Sequence, residues 1–347
     1  MACFNRITAT GMANVAKRRG HMTLTASFQG HNFLQGEGEW HEGLHAIIGP
    51  SGSGKTTLLR LLAGLGETAS RIAFNHSVWQ DGKRHVPAYQ RPICYVPQHP
   101  SLIPFRTIRQ QIQWVMAESL EPSDLTKWAE RLEILSLLDR YPQSLSGGQQ
   151  QRAAVLRALA TRQPVLLLDE ALSQVEERIR RQCLQWFRHE PPVPWIFYST
   201  HQLQEALTFS DTITVIVNGQ VYSPLLPDQL LKHPPTAEIA WMLGYRGSFR
   251  LDDNRHVLLH PARVLIGAHP EQGLVIMAHV DVYPHEHRLR SHWIIKRDQP
   301  YREQWEWDLP QYPAIQHADA ITLIDPPYVS FELSQKEVPT NVSSIAW

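Results

Sequence analysis

The 347-residue chain balances 33 Lys and Arg against 33 Asp and Glu and is 43% hydrophobic. That length predicts two domains with ample apolar side chains for a core, and zero net charge removes the electrostatic argument for a nucleic-acid or anionic-membrane partner. Cys3, Cys94 and Cys183 are too few and too scattered for a disulfide scaffold or a cysteine zinc ribbon, and are read as incidental thiols.

Residues 1–21 carry Lys17-Arg18-Arg19 with no apolar stretch after the charges, so they are not read as a secretory signal. They are expected to form a loose N-terminal tail, with Met12 and Met22 as alternative starts. The first patterned segment is the strand-like Leu24 to Phe28. Apolar runs such as Val165 to Leu168 fall far short of the ~20 residues that span a bilayer, so no membrane span is expected.

His45 to Ile48 is a short apolar strand leading into Gly49-Pro50-Ser51-Gly52-Ser53-Gly54-Lys55-Thr56-Thr57, which fits G-x-x-x-x-G-K-[S/T] without a mismatch. Leu58, Leu59, Leu61, Leu62 and Leu65 then recur at helical spacing and stop at Gly64 and Gly66. The residue types match phosphate chemistry. Glycines let backbone N–H groups turn toward phosphate oxygens, and the helix start adds its positive dipole end. Lys55 supplies a point charge for the β- and γ-phosphates, and the Thr56 hydroxyl is a ligand for Mg²⁺.

Four more segments follow: Tyr95-Val96-Pro97-Gln98, Leu145-Ser146-Gly147-Gly148-Gln149-Gln150-Gln151-Arg152, Val165-Leu166-Leu167-Leu168-Asp169-Glu170, and Tyr198-Ser199-Thr200-His201. Each has an ordinary explanation when taken alone. Gln98 fits a surface amide, Ser146 with Gln149 a helix-capping box, and His201 a structural strand-end histidine. Two carboxylates at the end of a buried strand sit where open α/β sheets place ligands.

In this order the five segments resemble the nucleotide-binding domain of ABC transporters: Walker A, Q-loop, LSGGQ signature, Walker B with its glutamate, and H-loop. The resemblance covers about residues 22–240. It implies an α/β P-loop NTPase fold with a RecA-like core and a helical subdomain at about 99–158. It also implies ATP and Mg²⁺ as cofactors, with Asp169, Thr56 and Gln98 at the metal and Glu170 as general base. His201 would meet the γ-phosphate. Ser146, Gly147, Gly148 and Gln149 would close on the ATP of a second copy in a head-to-tail homodimer. An aromatic of the first strand stacks on adenine in this family, and Phe28, then Phe33, are the candidates. Phe28 as plain core stays open beside that.

Relatives usually continue from the glutamate with Pro-x-Ser-Ala-Leu-Asp. Here the run is Ala171-Leu172-Ser173-Gln174-Val175-Glu176, and Gln202 follows His201 where aspartate is common. These changes bear on communication between two ATP sites and leave the phosphate and Mg²⁺ ligands in place.

The stretch from Asp228 to Pro235 and on through Trp241 to Gly244 resembles the linker of importers with a C-terminal regulatory domain. Val257–Leu259, Val264–Ile266, Leu274–Met277, Trp293–Ile295 and Ile321–Ile324 then read as short strands between turn residues. Residues 248–347 are thus expected to form a small all-β, OB-like barrel, similar in position to the TOBE domain of importer ATPases. His285, His287 and His292 read as solvated histidines rather than a metal site, and Trp305 with Trp307 as core or an edge patch.

The resemblance therefore implies an ATP-hydrolysing subunit of an importer, peripheral on the cytoplasmic face of the inner membrane. Its expected partners are separate permease subunits and an extracytoplasmic solute-binding protein, with no nucleic acid. A non-transport ABC ATPase is the alternative of another class. Lys55 and Ser146 lie only 91 residues apart with Pro97, Pro100, Pro104 and Pro122 between, which leaves no room for a long coiled-coil insertion. The segment from Arg71 to Ile93 looks most like molybdate importers. Sulfate, ferric iron, polyamine and sugar are the other candidate solutes.

Overall fold

The computed structural model describes residues 23–29, 34–66, 70–75, 77–82 and 84–243, followed by eight strand segments between 246 and 332. The chain divides into two units between Pro227 and Asp228, ahead of the boundary at 240 expected from the sequence.

The first unit is built on one ten-stranded sheet. In chain order its elements are β1 (Leu24–Gln29), β2 (Gln35–Trp40), β3 (Gly43–Ile48), α1 (Lys55–Leu62), β4 (Arg71–Phe74), β5 (Ser77–Asp81) and β6 (Ile93–Val96). Then come α2 (Ile108–Val115), α3 (Pro122–Arg131), α4 (Gly147–Ala160), β7 (Val165–Asp169) and α5 (Glu177–His189). The series closes with β8 (Trp195–Ser199), α6 (Leu203–Phe209), β9 (Thr212–Val217) and β10 (Gln220–Val221). The sheet order is β5-β4-β1-β2-β10-β9-β3-β8-β7-β6.

Strands β9, β3, β8, β7 and β6 pair in parallel. Their sequences explain this. β7 and β8 are buried at every position, the near-continuous apolar run that a sheet covered on both faces requires. On the other side of the sheet β1 pairs antiparallel with β2 and β4, and β4 with β5. The core joins Leu24, Trp40, Ile47, Leu58, Leu62, Trp195 and Phe197, with Trp40 edge-on to Phe197 at 5.5 Å.

Helix α1 ends at Leu62, and Gly64 turns the chain away in the left-handed region at φ 78°. Leu65, which extends the leucine spacing in the sequence, is instead 45% exposed beyond that turn. Buried Arg91 donates to the Leu61 and Leu62 carbonyls at 2.8 Å each, placing a cation on the negative end of α1. Burial lowers the Arg91 pKa to about 10.

Residues between β6 and β7 supply the helical portion, α2, α3 and α4 with short 3-10 turns at 135–137 and 142–144. Both α2 and α4 open with capping boxes, Thr107 with Gln110 and Ser146 with Gln149.

The second unit takes in α7 (Pro227–Lys232) from its second residue onward and then α8 (Ala237–Met242), on the stretch read as a linker. They continue as strands β11 (Arg246–Arg250), β12 (Arg255–Leu259), β13 (Val264–Ile266) and β14 (Val275–Tyr283). The last four are β15 (Arg288–Ile295), β16 (Arg302–Asp308), β17 (Ile321–Leu323) and β18 (Tyr328–Glu332). They form two antiparallel sheets, β11-β12-β18 and β13-β17-β14-β15-β16. His292 falls in β15 and Trp305 and Trp307 in β16. Residues 1–21, Phe33, His285 and His287 lie outside the described residues.

Candidate active site

Four parallel strands, β3, β7, β8 and β6, deliver the chemically active residues at their C-terminal ends. The loop Gly49–Gly54 leaves β3 and passes into α1, with Gly54 as the helix N-cap at φ 115°, a conformation that disfavours any side chain. Lys55 is 5% exposed, and its ammonium donates to the Gly49 and Pro50 carbonyls at 2.8 and 3.0 Å. Burial lowers its pKa, against the opposing pull of Glu170 and Asp169. Ser53 Oγ is buried in the same loop with no hydrogen-bond partner among the described residues. An orphaned hydroxyl, a buried ammonium and a helix start in one loop fit a phosphate chain.

Asp169 ends β7 and is 3% exposed. Thr56 Oγ1 and Ser199 Oγ donate to its Oδ1 at 3.0 and 2.9 Å, and the Tyr95 hydroxyl donates to Oδ2 at 2.9 Å. Three hydroxyls thus fix the carboxylate beside Thr56. Burial and the Asp169 charge push the Tyr95 hydroxyl pKa up, which keeps it a donor. The hydroxyl–carboxylate pair fits Mg²⁺, a hard ion held by one or two side chains plus substrate phosphate oxygens. Among the described residues no three His, Cys, Asp or Glu side chains gather as an all-protein metal cage.

Glu170 follows in the left-handed region at φ 48°, unusual for a residue with a side chain. Its N–H donates to Ser199 Oγ at 2.9 Å, which holds the unusual backbone in place. Gln98 Nε2 donates to Glu170 Oε2 at 2.9 Å, and His201 Nε2 sits against Glu170 Oε1. Gln98 and His201 therefore converge on the glutamate.

The helix start of the signature segment is occupied locally, and Gln151 one turn on joins the segment to the Gln98 backbone. Ser146 and Gln149 bond one another, Gln149 N to Ser146 Oγ at 3.4 Å and Ser146 N to Gln149 Oε1 at 2.9 Å. A Cβ on Gly147 would fall 2.0 Å from Gln174 Oε1, and one on Gly148 2.5 Å from the Gln174 carbonyl oxygen. Gly148 is needed for the approach of the Gln174 backbone, whereas at Gly147 the end of the Gln174 side chain could move aside. Gln151, fully buried one turn on, donates to the Gln98 carbonyl and to Ser173 Oγ at 3.2 and 3.3 Å and accepts from Gln174 N at 2.8 Å. Glu176, in place of the usual aspartate, is the N-cap of α5 and makes no capping hydrogen bond.

Phe28 is 3% exposed and belongs to the core cluster, which favours the plain-core alternative over adenine stacking. Sequence reasoning passed over Tyr95, Ser199 and Gln151. All three stand inside the quoted segments. The role of Tyr95 and Ser199 depends on register, which aligns Asp169 with Ser199 and sets β6 beside β7.

Residues 39–173 match the family described as ABC transporter. The Fe(3+) ions import ATP-binding protein FbpC of Pseudomonas fluorescens is 40% identical over 57% of this chain and 58% of its own length. The molybdenum import ATP-binding protein ModC of Saccharophagus degradans is 38% identical, covering 56% of each chain. The sulfate/thiosulfate import ATP-binding protein CysA of Synechocystis is 38% identical over 58% of each. The chain thus spans less than three fifths of the length of these relatives. A solved bacterial Atm1-family ABC exporter with ATP bound superposes with a TM-score of 0.54 at 26% identity, over 64% of this chain and 42% of its own. The first unit has the ABC ATPase form of the P-loop NTPase fold, and ABC ATPases use ATP with Mg²⁺ for hydrolysis.

Proposed function

We propose that this chain is the ATP-hydrolysing, energy-coupling subunit of an ABC importer. The observation that carries this reading is the convergence of Lys55, Thr56, Asp169, Glu170, Gln98 and His201 at the ends of four parallel strands. In this reading the Gly49–Thr57 loop and Lys55 bind the phosphates of ATP. Thr56 and Asp169 would hold Mg²⁺, which when bound would offset charge on the phosphate oxygens. Glu170, oriented by Gln98 and His201, takes the proton of the attacking water as its oxygen bonds to the γ-phosphorus and the bond to ADP breaks. Ser146, Gly147 and Gly148 serve the ATP of a second copy, so each site needs both chains.

The partners are permease subunits, and a solute-binding protein supplies them. Phe105 and Trp114, 72% and 58% exposed, offer apolar contacts for a permease segment. No described helix is long and apolar enough to cross a membrane, in keeping with separate permease chains and a peripheral place on the cytoplasmic face. The second unit, read as a TOBE-like, OB-like barrel, is regulatory.

Molybdate leads among the solutes, supported by the Arg71–Ile93 segment and the molybdenum relative. Ferric iron and sulfate follow, each named for a relative of similar identity.

Two experiments test this. Purified protein should hydrolyse Mg·ATP, and Lys55→Ala should abolish ATP binding; retained affinity overturns the site. Deleting the gene under limiting supply should lower whole-cell Mo, with excess molybdate reversing the fall. A selective fall in Fe or S instead moves the solute to that ion.

A further inference from the structure

The turn Ile103–Arg106, which presents Phe105, is held by one side chain. Gln111 on α2 is 1% exposed and has every polar position occupied. Its Oε1 accepts from Ile103 N at 2.9 Å, and its Nε2 donates to the Ile103 and Arg106 carbonyls at 3.1 and 3.0 Å. The fourth bond leaves the turn: Arg157 Nη1, on α4, donates to Gln111 Oε1 at 3.2 Å. Arg157 lies about three turns along the helix that Ser146 caps. The same helix holds the Gln98 carbonyl through Gln151. Arg106 completes the turn with its guanidinium 4.9 Å from the Trp114 ring, so the exposed aromatics and the clamp form one unit.

We infer that Gln111 and Arg157 are positioning residues that carry movement of the signature helix to the Phe105 turn. A buried carboxamide with four bonds in a dry site has one low-energy arrangement, so the turn follows α4 rather than flexing independently. Gln111 sets the shape of the turn and Arg157 provides its link to α4. The inference rests on the reading of this chain as an ATP-driven subunit.

The test uses the full-length protein and backbone amide exchange across residues 103–106, compared in Mg·ADP and in a non-hydrolysable Mg·ATP analogue. Nucleotide binding and basal ATPase activity are measured alongside. In the unaltered protein the analogue should change exchange of the turn by about threefold or more. Gln111→Ala should raise exchange at Ile103 about tenfold in both states, by removing its acceptor. Arg157→Met should keep the Ile103 amide slow and ATPase activity within about twofold, yet lose the nucleotide response. A merely structural role would not separate these readouts. An intact response in Arg157→Met, or none in the unaltered protein that binds the analogue, overturns the inference. Failure of the unaltered protein to bind ATP overturns the functional reading instead.

Discussion

The two poles of the proposed ATP chemistry are built differently. Around Asp169 and Glu170, residues from four strands or strand-end loops bond one another: Thr56, Tyr95 and Ser199 hold one carboxylate, Gln98 and His201 the other. At the signature pole the helix start is occupied locally, with Ser146 and Gln149 exchanging bonds and Gln174 lying against the glycines, while Gln151 one turn on reaches the Gln98 carbonyl. One pole is organised to act on a phosphate already in its own chain's loop. In the proposed sandwich the other is a helix start whose donors would gain a phosphate from a second copy. The proposal of a head-to-tail pair predicts that difference.

The comparison is broken most severely at the glutamate. Glu170→Gln keeps the size and the contacts with Gln98 and His201 but removes the base, so turnover should fall by about 10²–10⁴ with ATP binding retained. Unchanged turnover would remove Glu170 from the chemistry.

The next effect concerns the strand that supports the phosphate loop. His45 on β3 is 1% exposed, donating from Nε2 to the His41 carbonyl at 2.8 Å and accepting from Thr212 Oγ1 at 2.9 Å. Burial lowers its pKa from 6.5 to about 4. The unfolded imidazole takes a proton near 6.5 and the folded one only near 4, so stability is lost as pH falls between them. The loss reaches about 3 kcal/mol. Urea midpoints measured across that window should show the fall, and His45→Gln should flatten it. An equal slope in the variant would place the acid sensitivity elsewhere.

Smallest in energy is Ser146→Ala, which removes the cap of α4 at a cost of about 1 kcal/mol. Because Ser146 bonds Gln149 and not the groups around Asp169 and Glu170, ATP affinity of a single chain should stay within about twofold while turnover of the assembled pair falls. A large loss of single-chain affinity would mean that both poles serve one ATP.

The phosphate loop and the carboxylates were legible in the sequence because their chemistry is local: glycine spacing, a following lysine, a buried strand with acids at its end. The β-rich character of the second unit was legible too, since turn residues punctuate it and Trp305 and Trp307 of β16 alternate at strand spacing, although β11 and β18 were not anticipated as strands. What escaped is non-local. Tyr95 and Ser199 reach Asp169 only through strand register, and Gln151 reaches Gln98 and Ser173 only through packing of α4. Leu65 and Phe28 show the converse: spacing and strand position leave undecided where a helix stops and which face of a strand is covered.

The measurement that tests the account most directly is sedimentation of the Glu170→Gln protein with and without Mg·ATP. A shift from monomer to dimer that needs both ATP and Ser146 is the predicted result. A protein that binds ATP and stays monomeric at every accessible concentration would contradict the sandwich, and with it the division of labour between the two poles.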